Sequence, residues 1–364
     1  MLTAVPLCDG HDSAITTVNQ ELIRQGFEIV YMGYHRSAED IVRAAIQEDV
    51  NGIGISSYNG GHIEFFRHIH ELLQEKNRTD IRVFGGGGGT ITPEDVVIMK
   101  EDGTDEIFLA GTPFDWTCDR LRELFTAKSI DLTQTLPGDI PLGQRLTAVE
   151  AELSDRPKPP ARGKAKIIGI TGPGGAGKTT LIDEWIRGAL ADNPDIKIGV
   201  LSHDPSSMSR GGLLGDRATM IYSQHDNIFL RSMATRGEQG GLSPATEECL
   251  QWMASAQTGF DLVLVETVGT GQEALPFNSE LIDSKILVLH PEYGAQLQLQ
   301  KILMLEIADV VVLNKTDWAG AARAIEEIKR QVNLPGSSQA PVYSTNASKH
   351  KDAGVVELRK HFSL

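Results

Sequence analysis

Short apolar runs, each followed by an amphipathic stretch, recur along most of the chain, and that alternation leaves few folds open. In the first third, FEIVYMG (27–33), VNGIGISS (50–57), IRVFGG (81–86) and EIFLAG (106–111) read as strands. Between them, AITTVNQELIRQG, SAEDIVRAAIQED and GHIEFFRHIHELLQEKN carry apolar residues at three- and four-residue spacing and read as helices. Strands joined through helices pair in parallel, with the helices covering both faces of the sheet. The pattern lapses after residue 128. LPGDIPLG (136–143) and DRPKPPARGKAK (155–166) are rich in proline, glycine and charge, and they flank the helix-like QRLTAVEAEL. From residue 167 a second alternation begins: KIIGITG, IKIGVLSHD, NIFLRSM, FDLVLVET, KILVLH, VVVLNK and PVYST. The expectation is an α/β domain over 1–130, a linker with a helical insert over 131–163, and a second α/β domain over 164–364. No internal repeat is visible, and the five glycines at 85–89 are the one low-complexity tract.

Composition narrows the function classes. A net charge of −15 over 364 residues argues against a nucleic-acid surface, which needs a basic stripe. Any anionic ligand must then be held locally, by backbone amides and a few cations. Three scattered cysteines, Cys8, Cys118 and Cys249, suit neither a disulfide framework nor a thiolate zinc site, and they fit a reducing cytoplasm. No run reaches the length of a membrane span, and the first residues do not read as a signal peptide.

The second domain carries the sharpest motif. GPGGAGKT (172–179) follows the apolar KIIGIT and opens the helical TLIDEWIRGAL, the context a phosphate-binding loop requires. Gly174, Gly175, Ala176 and Gly177 let backbone amides turn inward onto a phosphate, and the helix N-terminus adds its positive dipole end. Lys178 would reach the β- and γ-phosphate oxygens, Thr179 would place a hydroxyl on Mg²⁺, and Thr180 continues the loop. NKTD (314–317) follows ADVVVL. The Asp317 carboxylate can accept from the N1–H and exocyclic amine of guanine, a pair adenine does not offer, while Asn314 suits the same ring and the Lys315 stem can pack along it. STNAS (344–348) offers a backbone amide at Ala347 to the guanine oxygen. Between these motifs, HDPSS ends a strand with Asp204, GGLLGDRATM carries Asp216 and Arg217, and ETVGTGQ places Glu266 at a strand end, where a carboxylate can hold Mg²⁺ directly or through water. Gly269 can donate its amide to the γ-phosphate. Gln272 reads either as the residue that orients the attacking water or as a structural hydrogen-bonder, since it lies three residues beyond Gly269. Arg210, Arg217 and Arg236 are candidates for stabilising phosphate charge.

The series HDPSS, GGLLGDR, FLRSMATRG, ETVGTGQ and NKTD resembles the MeaB-type G-protein chaperones of cobalamin-dependent acyl-CoA mutases, a group within the metallochaperone GTPases, over roughly residues 164–364. The resemblance implies a P-loop GTPase core, Mg²⁺ and switch roles for Asp204, Asp216 and Glu266, and slow hydrolysis of GTP to GDP that gates cofactor loading. In its light, DGHDSA (9–14) resembles the D-x-H-x-x-G signature of cobalamin-binding domains. That likeness implies that His11 ligates cobalt from below the corrin, displacing the cofactor's dimethylbenzimidazole, and that Asp9 accepts the other ring N–H and fixes the tautomer. GISSYNGG (54–61) and FGGGGGT (84–90) resemble the segments that line the slot for the displaced tail, with hydroxyls at Ser56 and Ser57 and close backbone approach at Gly85 and Gly86. Two positions depart from the pattern: Ala14 stands where the signature has glycine, and Tyr58 where the slot motif has leucine.

Together the two halves are similar to the N-terminal portion of fused isobutyryl-CoA mutases. The fold implied is a flavodoxin-like, Rossmann-like cobalamin-binding domain followed by a P-loop GTPase of the metallochaperone type. Adenosylcobalamin, GTP or GDP and Mg²⁺ are the implied cofactors. The implied partners are a substrate-barrel subunit of an acyl-CoA mutase, a cobalamin adenosyltransferase and a second copy through the GTPase domain. A (β/α)₈ barrel needs ~250 residues, more than the chain leaves, so the expectation places mutase chemistry on a separate subunit or on the remainder of a fused enzyme. A cobalamin-binding regulatory subunit, with the GTPase as its timer, is the alternative. His68 and His70, two residues apart in a helical run, do not face one way, whereas His62 lies near the expected slot. Trp116, Trp252 and Trp318 read as packing residues.

Overall fold

The computed structural model describes all residues except 8–12, 126–131, 133–137, 207–211, 239, 270–279, 295–303, 336 and 364. The chain divides into two compact units. The first is Met1–Pro157 with Ser206–Thr219, and the second is Lys158–Pro205 with Met220–Leu364.

The first unit opens with β1 (Leu2–Ala4), α1 (Ser13–Arg24), β2 (Ile29–Tyr31), α2 (Ala38–Gln47), β3 (Gly52–Ser56), α3 (His62–Glu75), β4 (Arg82–Gly87), α4 (Pro93–Glu101), β5 (Glu106–Leu109) and α5 (Phe114–Leu124). Helix starts follow local chemistry. The Ser37 hydroxyl accepts the Asp40 amide ahead of α2, and Thr92 and Asp95 cap α4 reciprocally with Pro93 in its first turn. The expected linker helix is present as α6 (Ile140–Glu150), but it belongs to the first unit: an ideal Cβ on Gly143 would lie 2.7 Å from the Ile46 carbonyl oxygen, so only glycine lets α6 press this close to α2.

The second unit begins with β6 (Lys166–Thr171), α7 (Lys178–Asp192) and β7 (Ile198–Asp204). The chain then contributes β8 (Leu213–Leu214) and α8 (Asp216–Thr219) to the first unit. That excursion departs from the expected boundary at residue 164, and a two-residue strand beside glycines carries no periodic signal that could announce it. The second unit resumes with β9 (Ile228–Ala234), α9 (Thr246–Met253), β10 (Leu262–Glu266), β11 (Ser284–Leu289), α10 (Met304–Ile307), β12 (Val310–Leu313), α11 (Ala321–Val332), β13 (Val342–Ser344) and α12 (Ala353–His361).

Both sheets are parallel throughout the named strands. The first runs β5-β4-β3-β1-β2-β8 and the second β13-β12-β11-β6-β10-β7-β9. Sheets buried on both faces explain the near-continuous apolar strands, of which VVVL in β12 is fully buried. In the second unit Trp185 of α7 is fully buried and stacks at 5.4 Å on Phe362. In the first, Leu22, Ile29, Phe84, Cys118 and Leu121 form one core cluster. Doubly wound sheets hold ligands at the carboxyl ends of their strands, and both candidate sites lie there.

Candidate functional site

In the second unit β6 is central, and the chain crosses to opposite sides of it in running from β7 through β10 to β11. The loop Gly172–Gly177 leaves its carboxyl end at this switch point and leads into α7. Gly177 stands ahead of α7 at φ +84°, a left-handed conformation costly for other residues, and no side chain caps the helix. A Cβ on Gly175 would meet nothing within 4 Å, so the loop presents an open backbone cradle. Lys178 is buried, its Nζ donating to the Gly172 carbonyl at 3.1 Å and the Pro173 carbonyl at 3.5 Å.

Thr179 Oγ1 donates to Glu266 Oε1 at 2.7 Å, bringing two of the expected Mg²⁺ residues together. Ser202 Oγ lies 3.4 Å from the other oxygen of Glu266, and Glu266 pairs in register with Ser202 on β7, two residues before Asp204. Gly269 comes up to the phosphate loop: a Cβ on it would stand 2.5 Å from the Gly174 backbone, so the chain after β10 runs directly against the loop. One residue here was not singled out in the sequence. His203 is fully buried, and burial pushes its pKa down to about 4, against a smaller upward pull from the Glu266 carbonyl. It is therefore neutral: Nδ1 donates to that carbonyl at 2.8 Å, and Nε2 accepts from Thr246 Oγ1 at 2.8 Å. His203 thus fixes the backbone that carries Glu266. Its place just ahead of Asp204 was the available signal.

The expected base-reading residues divide in two. Asn314 is buried and faces protein on both sides. Its Nδ2 donates to the Ala176 carbonyl at 3.0 Å, and its Oδ1 accepts from the Ala347 amide at 3.0 Å and Thr345 Oγ1 at 3.1 Å. It braces the phosphate loop against the segment after β13. The amide expected to meet a guanine oxygen at Ala347 is engaged by Asn314 instead, so a base carbonyl would compete for it. Lys315 takes φ +58°, its stem approaches Gly177 and its Nζ lies 4.3 Å from the Trp318 ring centre. Asp317 and Thr180 are exposed. Asp216 and Arg217 lie in the segment that belongs to the first unit. Arg217 is fully buried against Glu48, which removes it from the candidates for phosphate charge. Gln272 and Arg210 fall outside the described residues.

In the first unit a cavity of about 370 Å³ opens at the carboxyl ends of β3, β4 and β5, between α1 and α5. Its walls are mostly apolar, including Ile15, Val18, Phe84 and Leu121, with Gly85 and Gly86 at its base and Ser56, Tyr58 and Thr117 as polar members. The glycines are required by the sheet itself. A Cβ on Gly85 would lie 2.5 Å from the Ile55 carbonyl oxygen, and one on Gly86 would lie 2.5 Å from that of Phe108. Ser57 does not line the cavity: neighbouring strand residues point to opposite faces, and its buried hydroxyl has no hydrogen-bond partner among the described residues. Sequence reading missed the β5 side, Leu109–Thr112, although its small residues Ala110 and Gly111 were a visible cue. Asp9 and His11 fall outside the described residues, so the cavity is defined without them. Its apolar walls and sparse polar groups suit a flat, largely apolar ring system.

The three histidines of the α3 run make structural contacts. His62 Nδ1 donates to the Asn59 carbonyl at 2.8 Å and its Nε2 lies 3.2 Å from Asp95, holding the start of α3 against α4 rather than lining the cavity. His68 pairs with Glu39 and Glu71, and His70 with Thr104. Trp252 is buried, whereas Trp116 and Trp318 are exposed. Among the described residues no group of His, Cys, Asp and Glu forms a metal cluster, and no helix is long and apolar enough to cross a membrane.

Residues 144–361 match the family described as methylmalonyl-CoA mutase-associated GTPase MeaB, and residues 1–113 match the B12 binding domain. Fused isobutyryl-CoA mutases of Geobacillus kaustophilus and Cupriavidus metallidurans are 37% and 39% identical over 98% of this chain, which spans 35% of the length of each. The methylmalonic aciduria type A homolog of Mus musculus is 36% identical over 48% of this chain and 41% of its own. The chain thus belongs to the MeaB family of methylmalonyl-CoA mutase-associated GTPases, with a flavodoxin-like B12-binding domain preceding its P-loop GTPase domain.

Proposed function

We propose that this chain hydrolyses GTP to gate the loading or repair of adenosylcobalamin for an acyl-CoA mutase of the isobutyryl- or methylmalonyl-CoA type. The observation that carries the reading is the pairing, within one chain, of a MeaB-family phosphate loop whose Thr179 meets Glu266 at 2.7 Å and a B12-domain cavity of about 370 Å³. Mg²⁺ would be held by Thr179 with Glu266 and Asp204, where it would supply charge neutralisation to the phosphates. Lys178, now on loop carbonyls, would transfer its ammonium to the β- and γ-phosphate oxygens, while Gly269 would donate an amide to the γ-phosphate. Asp317 would select guanine. In the first unit the cavity would take the cofactor's nucleotide tail, with His11, oriented by Asp9, as the ligand to cobalt. GTP can favour one arrangement of the chain only if its γ-phosphate binds that arrangement better.

The mutase barrel, an adenosyltransferase and a second copy of the chain are the partners this function calls for. The test measures GTP hydrolysis with and without adenosylcobalamin and an added barrel-bearing mutase, alongside the visible spectrum of bound cob(II)alamin. Hydrolysis that responds to both, and a histidine-ligated spectrum that reverts to base-on in His11→Ala, support the reading. A colourless protein after incubation with the cofactor would overturn it. The alternative reading, a cobalamin-binding regulatory subunit timed by its GTPase, predicts cofactor binding with no change in mutase turnover.

A further inference from the structure

NKTD and the tryptophan after it form a tight loop between β12 and α11, within the second unit. Its backbone is pinned along its length. The Asn314 amide donates to the Leu289 carbonyl at 2.8 Å, and the Thr316 amide and Oγ1 donate to the Thr345 carbonyl at 3.2 and 3.1 Å. The Trp318 amide donates back to the Lys315 carbonyl at 3.0 Å, closing a turn. Lys315 holds φ +58° in that turn, a left-handed conformation that a lysine keeps only where its surroundings impose it.

With the backbone committed, the open question is where the long Lys315 side chain goes, since a loose lysine samples many rotamers. Two contacts set its path. Its Cε stands 3.8 Å from an ideal Cβ on Gly177, the residue ahead of α7, and its Nζ sits 4.3 Å from the centre of the Trp318 ring. An ammonium at that distance is attracted by the electron-rich indole face. Among the described residues Lys315 makes no hydrogen bond or ion pair through its side chain, so the indole is its anchor. The indole is backed in turn by His290, with ring centres 5.8 Å apart, and His290 lies 4.8 Å from Tyr293. Burial holds the His290 pKa below its ordinary value, so the ring behind the indole is neutral near pH 7 and does not repel the ammonium. Trp318 is nevertheless 41% exposed, whereas Trp185 and Trp252 of the same unit are 0% and 3% exposed. Core packing accounts for the latter two and leaves Trp318 to be explained.

We propose that Trp318 is a positioning residue for the guanine site: its indole holds the Lys315 ammonium, so that the lysine stem is laid out in advance as an apolar plate for one face of the base. The proposal rests on the GTP-binding reading of the second unit. The stem runs from the phosphate loop at Gly177 to Trp318, and Asp317, which would meet the edge of the base, is the residue between Thr316 and Trp318. A stem already ordered loses less freedom when a ring lands on it, and that saving appears as affinity.

The test titrates the full chain with GDP and with inosine diphosphate, in the presence of Mg²⁺, by calorimetry. Trp318→Leu should weaken GDP by ~3–10-fold, and Trp318→Phe, which keeps a ring face for the ammonium, should recover affinity to within about twofold of the native chain. Inosine diphosphate lacks the exocyclic amine of guanine, and Trp318→Leu should weaken it by the same factor, because the lysine stem meets the ring face and not that substituent. In a Lys315→Gln background, Trp318→Leu should change GDP affinity by less than about twofold, since the group it positions is gone. GDP affinity of Trp318→Leu within about twofold of the native chain overturns the proposal, and so does a full loss repeated in the Lys315→Gln background. A loss confined to GDP would tie Trp318 to Asp317 instead and also overturn it. Should Trp318→Leu fail to fold, Lys315→Gln decides: GDP affinity within about twofold of the native chain would remove any role for the anchored stem. A native chain that binds no GDP overturns the GTP reading together with this one, whereas GDP binding that is indifferent to Trp318 overturns the positioning role alone.

Discussion

Single residues in the nucleotide site do different work from what their motifs suggest in isolation. NKTD reads as a base-recognition unit, yet Asn314 is spent on the Ala176 carbonyl and the Ala347 amide, leaving Asp317 as the exposed member able to face a base. Asp317→Asn should weaken GTP binding by ~10–100-fold, the range for losing a hydrogen bond to a charged group, and favour a xanthine nucleotide. Unchanged GTP affinity in a competition titration would count against guanine selection. The Thr179–Glu266 bond makes a separate prediction. Thr179→Ala should lower Mg²⁺-dependent GTP hydrolysis by ~100-fold or more, while nucleotide affinity measured in EDTA stays within about threefold. A parallel loss in both would assign Thr179 to general binding.

At the scale of elements, most strands and helices were legible because each obeys one period: apolar runs bounded by turn residues, or apolar positions every three to four residues. The failures are specific. β8 is two residues long and exists through its pairing with β2, and α6, expected as a helix within a linker, packs as part of the first unit. Electrostatic ties between elements are equally hidden in the sequence. Glu106, at the start of β5, accepts from Lys100 of α4 at 2.5 Å and from Arg120 of α5 at 2.9 Å. Burial pushes its carboxyl up, but the two cations outweigh that and hold its pKa below the ordinary value. A carboxylate whose folded pKa is depressed adds stability that is full above the unfolded pKa of 4.5 and lost as pH falls through the folded one. Glu106→Gln should cost about 1 kcal/mol at pH 7, because both cations are partly exposed, and the difference from wild type should close as pH falls through the depressed folded pKa. A gap independent of pH in urea denaturation would mean that the loss is one of packing.

For the whole molecule, two units with separate parallel sheets and separate cores predict separate responses to ligands. Calorimetry should show Mg²⁺·GDP raising the transition of the second unit and cobalamin raising that of the first, each by mass action on its own folded state. The sequence by itself determined the two parallel α/β domains, the phosphate loop and the small residues at the B12-domain strand ends, because each depends on local pattern: strand, turn, helix start. Tertiary structure alone decided that Asn314 braces rather than reads, that Ser56 and not Ser57 meets the cavity, and that Arg217 is buried on Glu48 rather than held for phosphate. Those outcomes turn on which groups meet across long stretches of chain, such as the sequence separation of 169 that joins Glu48 and Arg217, and the desolvation of a charge at such a meeting is set by its surroundings and not by its neighbours in sequence.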